Sequence, residues 1–330
     1  MRALGLISGG WDSDLAAALA RAAGAEVEGV HFDHGFVRDD RAEAARRPRG
    51  FPIDIVEVAR EFLREAVLRP RYGHGSALNP CIDCRIFMLR RAARIAEERG
   101  IGLVLTGEVL GQTRMSQRRE SLLRIEAESG LAGRLLRPLS ARLLEPTLAE
   151  AGGAIDRGRL GAVHGRGRRD QARLSRSLGL SPPRAPGGPC CLLGDRAFAA
   201  RLRDLLAHAA EEVPPPAALD LLRRGRHFRL SHRVKAVVAR DEGECRLFRE
   251  RYADLPSCQA EDGRGPVVLL DGEPDEAALG RAAALAVRFG AHRGEPAAEV
   301  RVLGAGAREI RVVAVPALAA DLDPIGAAVS

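Results

Sequence analysis

The 330-residue sequence predicts an α/β protein, a doubly wound parallel sheet followed by a smaller α+β domain. Three observations carry that expectation. Short apolar runs alternate with Ala/Leu-rich segments of strong helix propensity through the first hundred residues, which is how βαβ units read. A turn of small residues, Ser8-Gly9-Gly10, closes the first apolar run where a helix should begin. Two proline-rich breakers, 181–189 and 214–216, precede a change of texture to short apolar runs and one long Ala-rich segment.

In chain order, Ala3 to Ile7 reads as a strand, Asp14 to Ala23 as a helix and Glu26 to Phe32 as a second strand. Phe51 to Val58 gives a third strand, Arg85 to Arg99 a helix, and Ile101 to Thr106 another strand. Ligands of such sheets bind at the carboxyl ends of the strands, which here carry Ser8 to Ser13, His31 to His34 and Thr106 to Gln112. A linker or sharp loop is expected at Ser181 to Pro189, then a helix at Arg196 to Ala210. Beyond the second proline run, strands are expected at Arg226 to Leu230, Arg233 to Ala239, Val267 to Leu270, Val300 to Leu303 and Arg308 to Val315, with a helix at Asp275 to Phe289. The expected domains are therefore 1–200, which includes an arginine-rich segment, and 215–330.

Composition narrows the function. With 46% hydrophobic and 29% charged residues and no apolar run long enough for a membrane span, the chain reads as globular, with cytoplasmic residence expected. Its basic residues are fifty arginines and one lysine, Lys235. A Walker A loop needs Gly-Lys-Ser/Thr, so ordinary P-loop NTPase chemistry is excluded. The net charge is +7, and the segment 114–176 holds 14 arginines against 7 acids. A positive stretch of that density suits a phosphate backbone, or a solvated helix face.

Two constellations carry chemistry. In Ser8-Gly9-Gly10-Trp11-Asp12-Ser13, small residues let backbone N–H groups close on a phosphate, the helix amino terminus adds a favourable dipole, and hydroxyls donate. Asp12 would hold Mg²⁺ or cap the helix. In Asn79-Pro80-Cys81-Ile82-Asp83-Cys84, thiols at C-x-x-C spacing stand before a helix whose amino terminus favours thiolate. Cys190 or Cys191 offers a third thiol, for a three-cysteine iron–sulfur cluster with an open iron or for a persulfide carrier and its resolving partner. His31, Asp33 and His34 could ligate a divalent ion or line a nucleotide pocket, and His74 reads as a loop residue that meets substrate. Cys245 and Cys258 read as structural.

SGGWDS at the end of the first strand resembles the SGGxDS signature of PP-loop ATP pyrophosphatases, which cleave ATP between the α and β phosphates. The resemblance implies ATP contacts at Leu6, Ser8, Gly9, Gly10, Asp12, Ser13 and Gly107, with Phe32 near the adenine. NPCIDC is similar to the NPC-x-x-C motif of tRNA thiouridylases, with Cys84 at the catalytic position and Cys191 at the second cysteine. TGEVLGQTRMSQ (106–117), LLRPLSARLLEPT (135–147) and CLLGD (191–195) look like bacterial tRNA sulfurtransferase strings, with departures at Thr113-Arg114 and at Arg142, where lysine is usual. HGRGRRDQ (164–171) follows a Gly-Arg-Ser-Arg-Lys pattern loosely.

That resemblance covers about residues 1–200 and implies an ATP-dependent tRNA sulfurtransferase. Its cofactors would be ATP, Mg²⁺ and a [4Fe-4S] cluster on Cys81, Cys84 and Cys191, or else a persulfide route using Cys84 and Cys191 with Asp12. The partners would be tRNA and a sulfur donor, either sulfide or a persulfide carrier such as a cysteine desulfurase. RHFRLSHRVKAVVARDEGECRLF (226–248) resembles the RNA-binding domain of NFACT ribosome quality-control proteins. A different PP-loop ligation or amidation, or a non-catalytic nucleotide- or RNA-binding protein, would need no thiols.

Overall fold

The structure is a computed structural model and describes residues 1–180, 190–304, 309–318, 322 and 324–326. The breaker stretch 181–189 and Arg308 lie outside these. The chain divides into two compact units, Met1–Gly194 and Asp195–Ser330. None of the described helices is long and apolar enough to cross a membrane.

Unit one runs β1 (Arg2–Leu6), α1 (Trp11–Ala22), β2 (Glu26–Asp33), α2 (Asp39–Ala45), β3 (Ile53–Glu57), α3 (Ala59–Phe62), α4 (Cys81–Glu98), β4 (Leu103–Leu105), α5 (Arg119–Glu128), β5 (Leu135–Leu136), α6 (Leu148–Ala151) and α7 (Arg169–Ser177). The strands form one parallel sheet in the order β3-β2-β1-β4-β5. From β1 the chain winds outward to β2 and β3, then returns to lay β4 on the other side of β1. The crevice beyond the carboxyl ends of β1 and β4 is the topological switch point, where such sheets take ligands. Successive side chains of β1 and β4 are buried on both faces of the sheet, Leu4, Leu103, Val104 and Leu105 among them, which is why these strands read as unbroken apolar runs.

Two boundaries differ from expectation. Helix α4 starts at Cys81, not Arg85, so Cys81 and Cys84 both lie in its first turn, one turn of the same face apart. Pro80 at the N-cap starts the helix despite the modest helix propensities of Cys, Ile and Asp. Helix α1 starts at Trp11, directly after Gly10, which brings Asp12 and Ser13 into its first turn.

Unit two runs α8 (Arg196–His208), α9 (Pro216–Leu221), β6 (Arg226–Arg229), β7 (Lys235–Val238), α10 (Glu242–Arg251), β8 (Ser257–Ala260), β9 (Val268–Asp271), α11 (Glu276–Phe289), β10 (Ala298–Leu303), β11 (Glu309–Ala314) and β12 (Pro324–Ile325). Its seven strands form a sheet in the order β11-β10-β8-β9-β7-β6-β12, with antiparallel pairing throughout. Helix α11 covers one face through Ala278, Ala282 and Leu285, and α10 packs on the other through Cys245 and Phe248. Cys245 and Cys258 are each buried in one of these cores, and burial pushes the Cys258 thiol up to about 12, so both act as small apolar side chains. Strand β8 went unpredicted because Ser-Cys-Gln-Ala offers neither a β-branched residue nor a clean alternation.

Candidate active site

The loop after β1 is set by its glycines and by a small hydroxyl network. Gly9 has φ +69°, and a Cβ there would overlap the Arg41 carbonyl oxygen. The Ser13 hydroxyl donates to the Gly10 carbonyl at 2.6 Å and accepts from the Ser8 amide at 3.3 Å, and the Gly10 amide points to Ser8 Oγ at 3.4 Å. From the side of β4, Gly107 closes on the loop, and any Cβ there would stand 2.5 Å from the Ser13 nitrogen. Backbone amides at a helix amino terminus, lined by glycine and by two small hydroxyls, make an anion cradle. Arg41 from α2 lays its guanidinium beside Gly10 and so adds positive charge at the cradle's mouth.

Asp12 is not idle. Its carboxylate accepts from Arg168 at 2.8 Å and from the Gln112 amide at 2.8 Å, while Gln171 donates to Gln112 Oε1 at 3.0 Å. Arg168 also stands 6.0 Å from the Trp11 ring. The loosely matching 164–171 string is thus brought onto the acidic residue of the loop, a partnership spanning 156 residues that sequence spacing could not disclose.

Leu6 ends β1 and Phe32 lies buried in β2. His31 turns under the loop, its Nδ1 2.7 Å from the Ile7 carbonyl, and burial lowers its pKa, so it is a neutral buttress. His34 packs 4.6 Å from the Phe62 ring. His74 hydrogen-bonds the Val67 carbonyl at 2.9 Å. The divalent-ion alternative for 31–34 therefore finds both imidazoles turned to other work.

Four thiols come together beside this crevice. Leu192 donates to the Phe36 carbonyl at 2.9 Å and Cys191 bridges Val37, so residues 190–193 lie along the segment that follows β2. Leu78 donates to the Leu193 carbonyl at 3.0 Å, which ties the loop before α4 to the same stretch. Cys81 accepts from Asn79 Nδ2 at 3.2 Å, and its thiol is raised by burial. Burial pushes Cys84 up to about 12. Cys190 behaves oppositely: a hydrogen bond from the Cys191 thiol, helped by the Arg85 and Arg41 charges, pulls it down to about 6. As donor, Cys191 is held well above the ordinary thiol range. Of the four, Cys190 is the exposed one. Sequence reasoning singled out Cys191 and left Cys190 as its alternative; the two form one hydrogen-bonded pair.

Arg85 connects the thiols to the cradle. It faces Glu108 at 3.6 Å, and Glu108, next to Gly107, is 1% exposed and also paired with buried Arg137 at 3.1 Å. Among the described residues no group of three or more Cys, His, Asp or Glu side chains is already arranged as a metal site.

The arginine-rich segment divides by partner. Arg134, Arg137, Arg157, Arg159, Arg168 and Arg173 face carboxylates. Arg118, Arg119 and His164 instead line a hollow of about 630 Å³ beside Gly111.

Residues 225–322 match the family model described as NFACT protein RNA binding domain. A tRNA-specific 2-thiouridylase MnmA of Syntrophotalea carbinolica is 35% identical over 114 residues, 31% of this chain and 32% of that protein. A probable tRNA sulfurtransferase of Thermococcus kodakarensis is 31% identical over 143 residues, 42% of this chain and 36% of its own. The chain thus spans about a third of the length of these curated relatives. A crystal structure of a 4-thiouridine synthetase–RNA complex with bound ATP is 29% identical, covers 42% of this chain and 36% of that one, and superposes with a TM-score of 0.33.

Proposed function

We propose that the chain is an ATP-dependent tRNA sulfurtransferase that makes thiouridine. The observation that carries this reading is the placement of a glycine-lined anion cradle and the hydrogen-bonded Cys190–Cys191 pair around one crevice, linked by Arg41 and by Glu108–Arg85. Similarity to a 2-thiouridylase and to a probable tRNA sulfurtransferase supports it.

The loop amides and the Ser8 and Ser13 hydroxyls bind the ATP phosphates, with Gly107 keeping the approach open. Asp12 is the residue that would hold Mg²⁺, released from Arg168 as it does so; the ion would offset charge on the leaving pyrophosphate. The uridine carbonyl oxygen attacks the α-phosphorus, the α–β bond breaks, and pyrophosphate leaves. Arginines of 114–176 hold the tRNA backbone.

Cys81, Cys84 and Cys191 are the residues that would hold an iron–sulfur cluster, and no step is routed through one. Sulfur arrives instead on Cys190 as a persulfide from a persulfide-bearing donor protein. Its terminal sulfur attacks the activated carbon and AMP leaves with the oxygen. Cys84, losing its proton to solvent, then attacks the Cys190 sulfur. That breaks the S–S bond, frees the thiocarbonyl and leaves a Cys84–Cys190 disulfide for a thiol reductant to reset.

The test is nucleoside mass spectrometry of thiouridine-free tRNA after incubation with the protein, Mg·ATP and a persulfide donor. A new thiouridine that requires ATP and disappears in Cys190→Ser and Cys84→Ser is expected. AMP and pyrophosphate released without any thionucleoside would overturn the sulfur chemistry and favour another AMP-forming reaction.

A further inference from the structure

Arg168 stands at the N-cap of α7, a helix that packs on α1 through Leu174 and Leu178 against Leu15, Ala16 and Leu19. From there it reaches the first turn of α1, where its Nη1 lies 2.8 Å from both carboxylate oxygens of Asp12. Gln112 donates to one of those oxygens at 2.8 Å and is itself oriented by fully buried Gln171. Packing therefore fixes the amide on Asp12, while the guanidinium side chain, 39% exposed, is the partner free to leave.

A guanidinium that leaves Asp12 meets no unpaired acid nearby. Asp14, the next carboxylate of α1, holds Arg49 at 2.7 Å, and Asp170, in the first turn of α7, holds Arg173 at 3.0 Å. Arg166 and Arg169 on either side are exposed and carry the same sign. Asp12 is the sole acidic partner of Arg168 among the described residues. A divalent ion claims the same carboxylate oxygens, and two cations repel across one carboxylate, so the ion displaces the arginine. What Mg²⁺ brings with it is phosphate. Phosphate oxygens then become the nearest negative charge for a planar fork of donors, which binds them bidentately. Arg41 already stands beside Gly10, so the displaced group would be the second guanidinium at this helix start.

We propose that Arg168 is a two-position residue: it neutralises Asp12 until Mg²⁺ takes that carboxylate, and then binds the β- and γ-phosphates, holding the pyrophosphate end of the nucleotide as the α–β bond breaks. This deepens the proposed function by naming where the displaced guanidinium goes, and it rests on the loop taking Mg·ATP.

The test is Arg168→Met in the full chain, which removes the charge and keeps an apolar stem beside Trp11, with circular dichroism verifying the fold. Two ligands should then move in opposite directions. Mn²⁺ alone, followed by electron paramagnetic resonance and assigned by its loss in Asp12→Asn, should bind about two- to fivefold more tightly, because its competitor for the carboxylate is gone. Mg·ATP, followed by calorimetry, gains that same factor and loses a charge-assisted contact worth about ten- to a hundredfold, so it should bind at least about twofold more weakly. Opening the Asp12 pair cancels in the ratio of the two constants, which should therefore move by about ten- to a hundredfold. AMP, which lacks both outer phosphates, should bind within about twofold of the parent, and Arg169→Met should change all three ligands by less than about twofold. Trp11 is the chain's one tryptophan and lies 6.0 Å from the Arg168 guanidinium, so its emission should shift when Mg·pyrophosphate is added to the parent and stay unshifted in Arg168→Met. Equal weakening of Mn²⁺ and Mg·ATP, as a purely structural role would give, overturns the inference, and so does a Mg·ATP affinity that rises together with that for Mn²⁺. A parent chain that fails to bind Mg·ATP overturns this inference and the proposed function together. Thiouridine formation with an unmoved ratio keeps the proposed function and removes the second position of Arg168.

Discussion

Cys190 should be the thiol that alkylates first, and its pH profile should identify it. With its pKa near 6 against an ordinary 9, its thiolate fraction at pH 7 is about 0.9 instead of about 0.01, a gain of roughly ninetyfold. Nucleophilicity falls with basicity, with a Brønsted slope of about 0.4–0.5, so three units cost about 16- to 30-fold. The net advantage at pH 7 is therefore only about three- to sixfold. The sharper signature is the shape of the curve. The group is deprotonated above about 6, so its rate should rise as pH passes from 5 to 6.5 and be flat from pH 7 to 9, where an ordinary thiol near 9 still gains about fiftyfold overall. Iodoacetamide labelling followed by peptide mass spectrometry measures both quantities, with buried Cys258 as an internal unreactive reference. Cys191→Ala removes the donor and should move the midpoint up toward the ordinary range. A Cys190 rate that still climbs tenfold between pH 7 and 8 in the parent chain would refute the pairing.

Three further outcomes are expected. Gly107→Ala should raise the calorimetric dissociation constant of Mg·ATP at least tenfold and also lower the melting temperature, since the new Cβ would overlap backbone at the Ser13 nitrogen (2.5 Å) and at the Asp12 carbonyl carbon (2.6 Å) and oxygen (2.7 Å). Arg137→Ala should cost about 3 kcal/mol in urea unfolding, because Glu126 would lose its arginine and fully buried Glu108 would keep only Arg85 at 3.6 Å. Arg118→Glu should weaken tRNA binding in gel-shift titrations and flatten its salt dependence by about one unit, while ATP affinity stays unchanged.

How far the sequence could be read follows from the range over which each signal acts. The apolar run of β1, the alternating β2 and the Ala/Leu stripe of α1 are local patterns, and they lie where periodicity puts them. The cradle was legible because its glycines are consecutive and sit against a strand. Helix α4 was read late by one turn, since Cys81 to Cys84 looks like loop until Pro80 is known to start the helix. Arg41, Arg85 and Arg168 escaped notice altogether. In a chain with fifty arginines none stands out, and their partners lie in other segments. Arg168 left a faint mark within the 164–171 string, and Gln112 was quoted in its motif without a role. The Cys190–Cys191 pair could be seen, but which thiol yields its proton depends on Arg85 and Arg41 arriving from elsewhere in the chain.

The stitching of residues 190–193 onto the segment after β2 also fixes an order of assembly during synthesis. Every residue of the glycine-lined loop has been made once Gly107 is incorporated, whereas the Cys190–Cys191 pair comes about eighty residues later. At roughly 5–20 residues per second, a nascent chain spends about 4–16 s with its phosphate cradle translated and its thiol pair not yet made. A ribosome stalled in that interval would hold a polypeptide that has the glycine-lined loop and lacks Cys190 and Cys191.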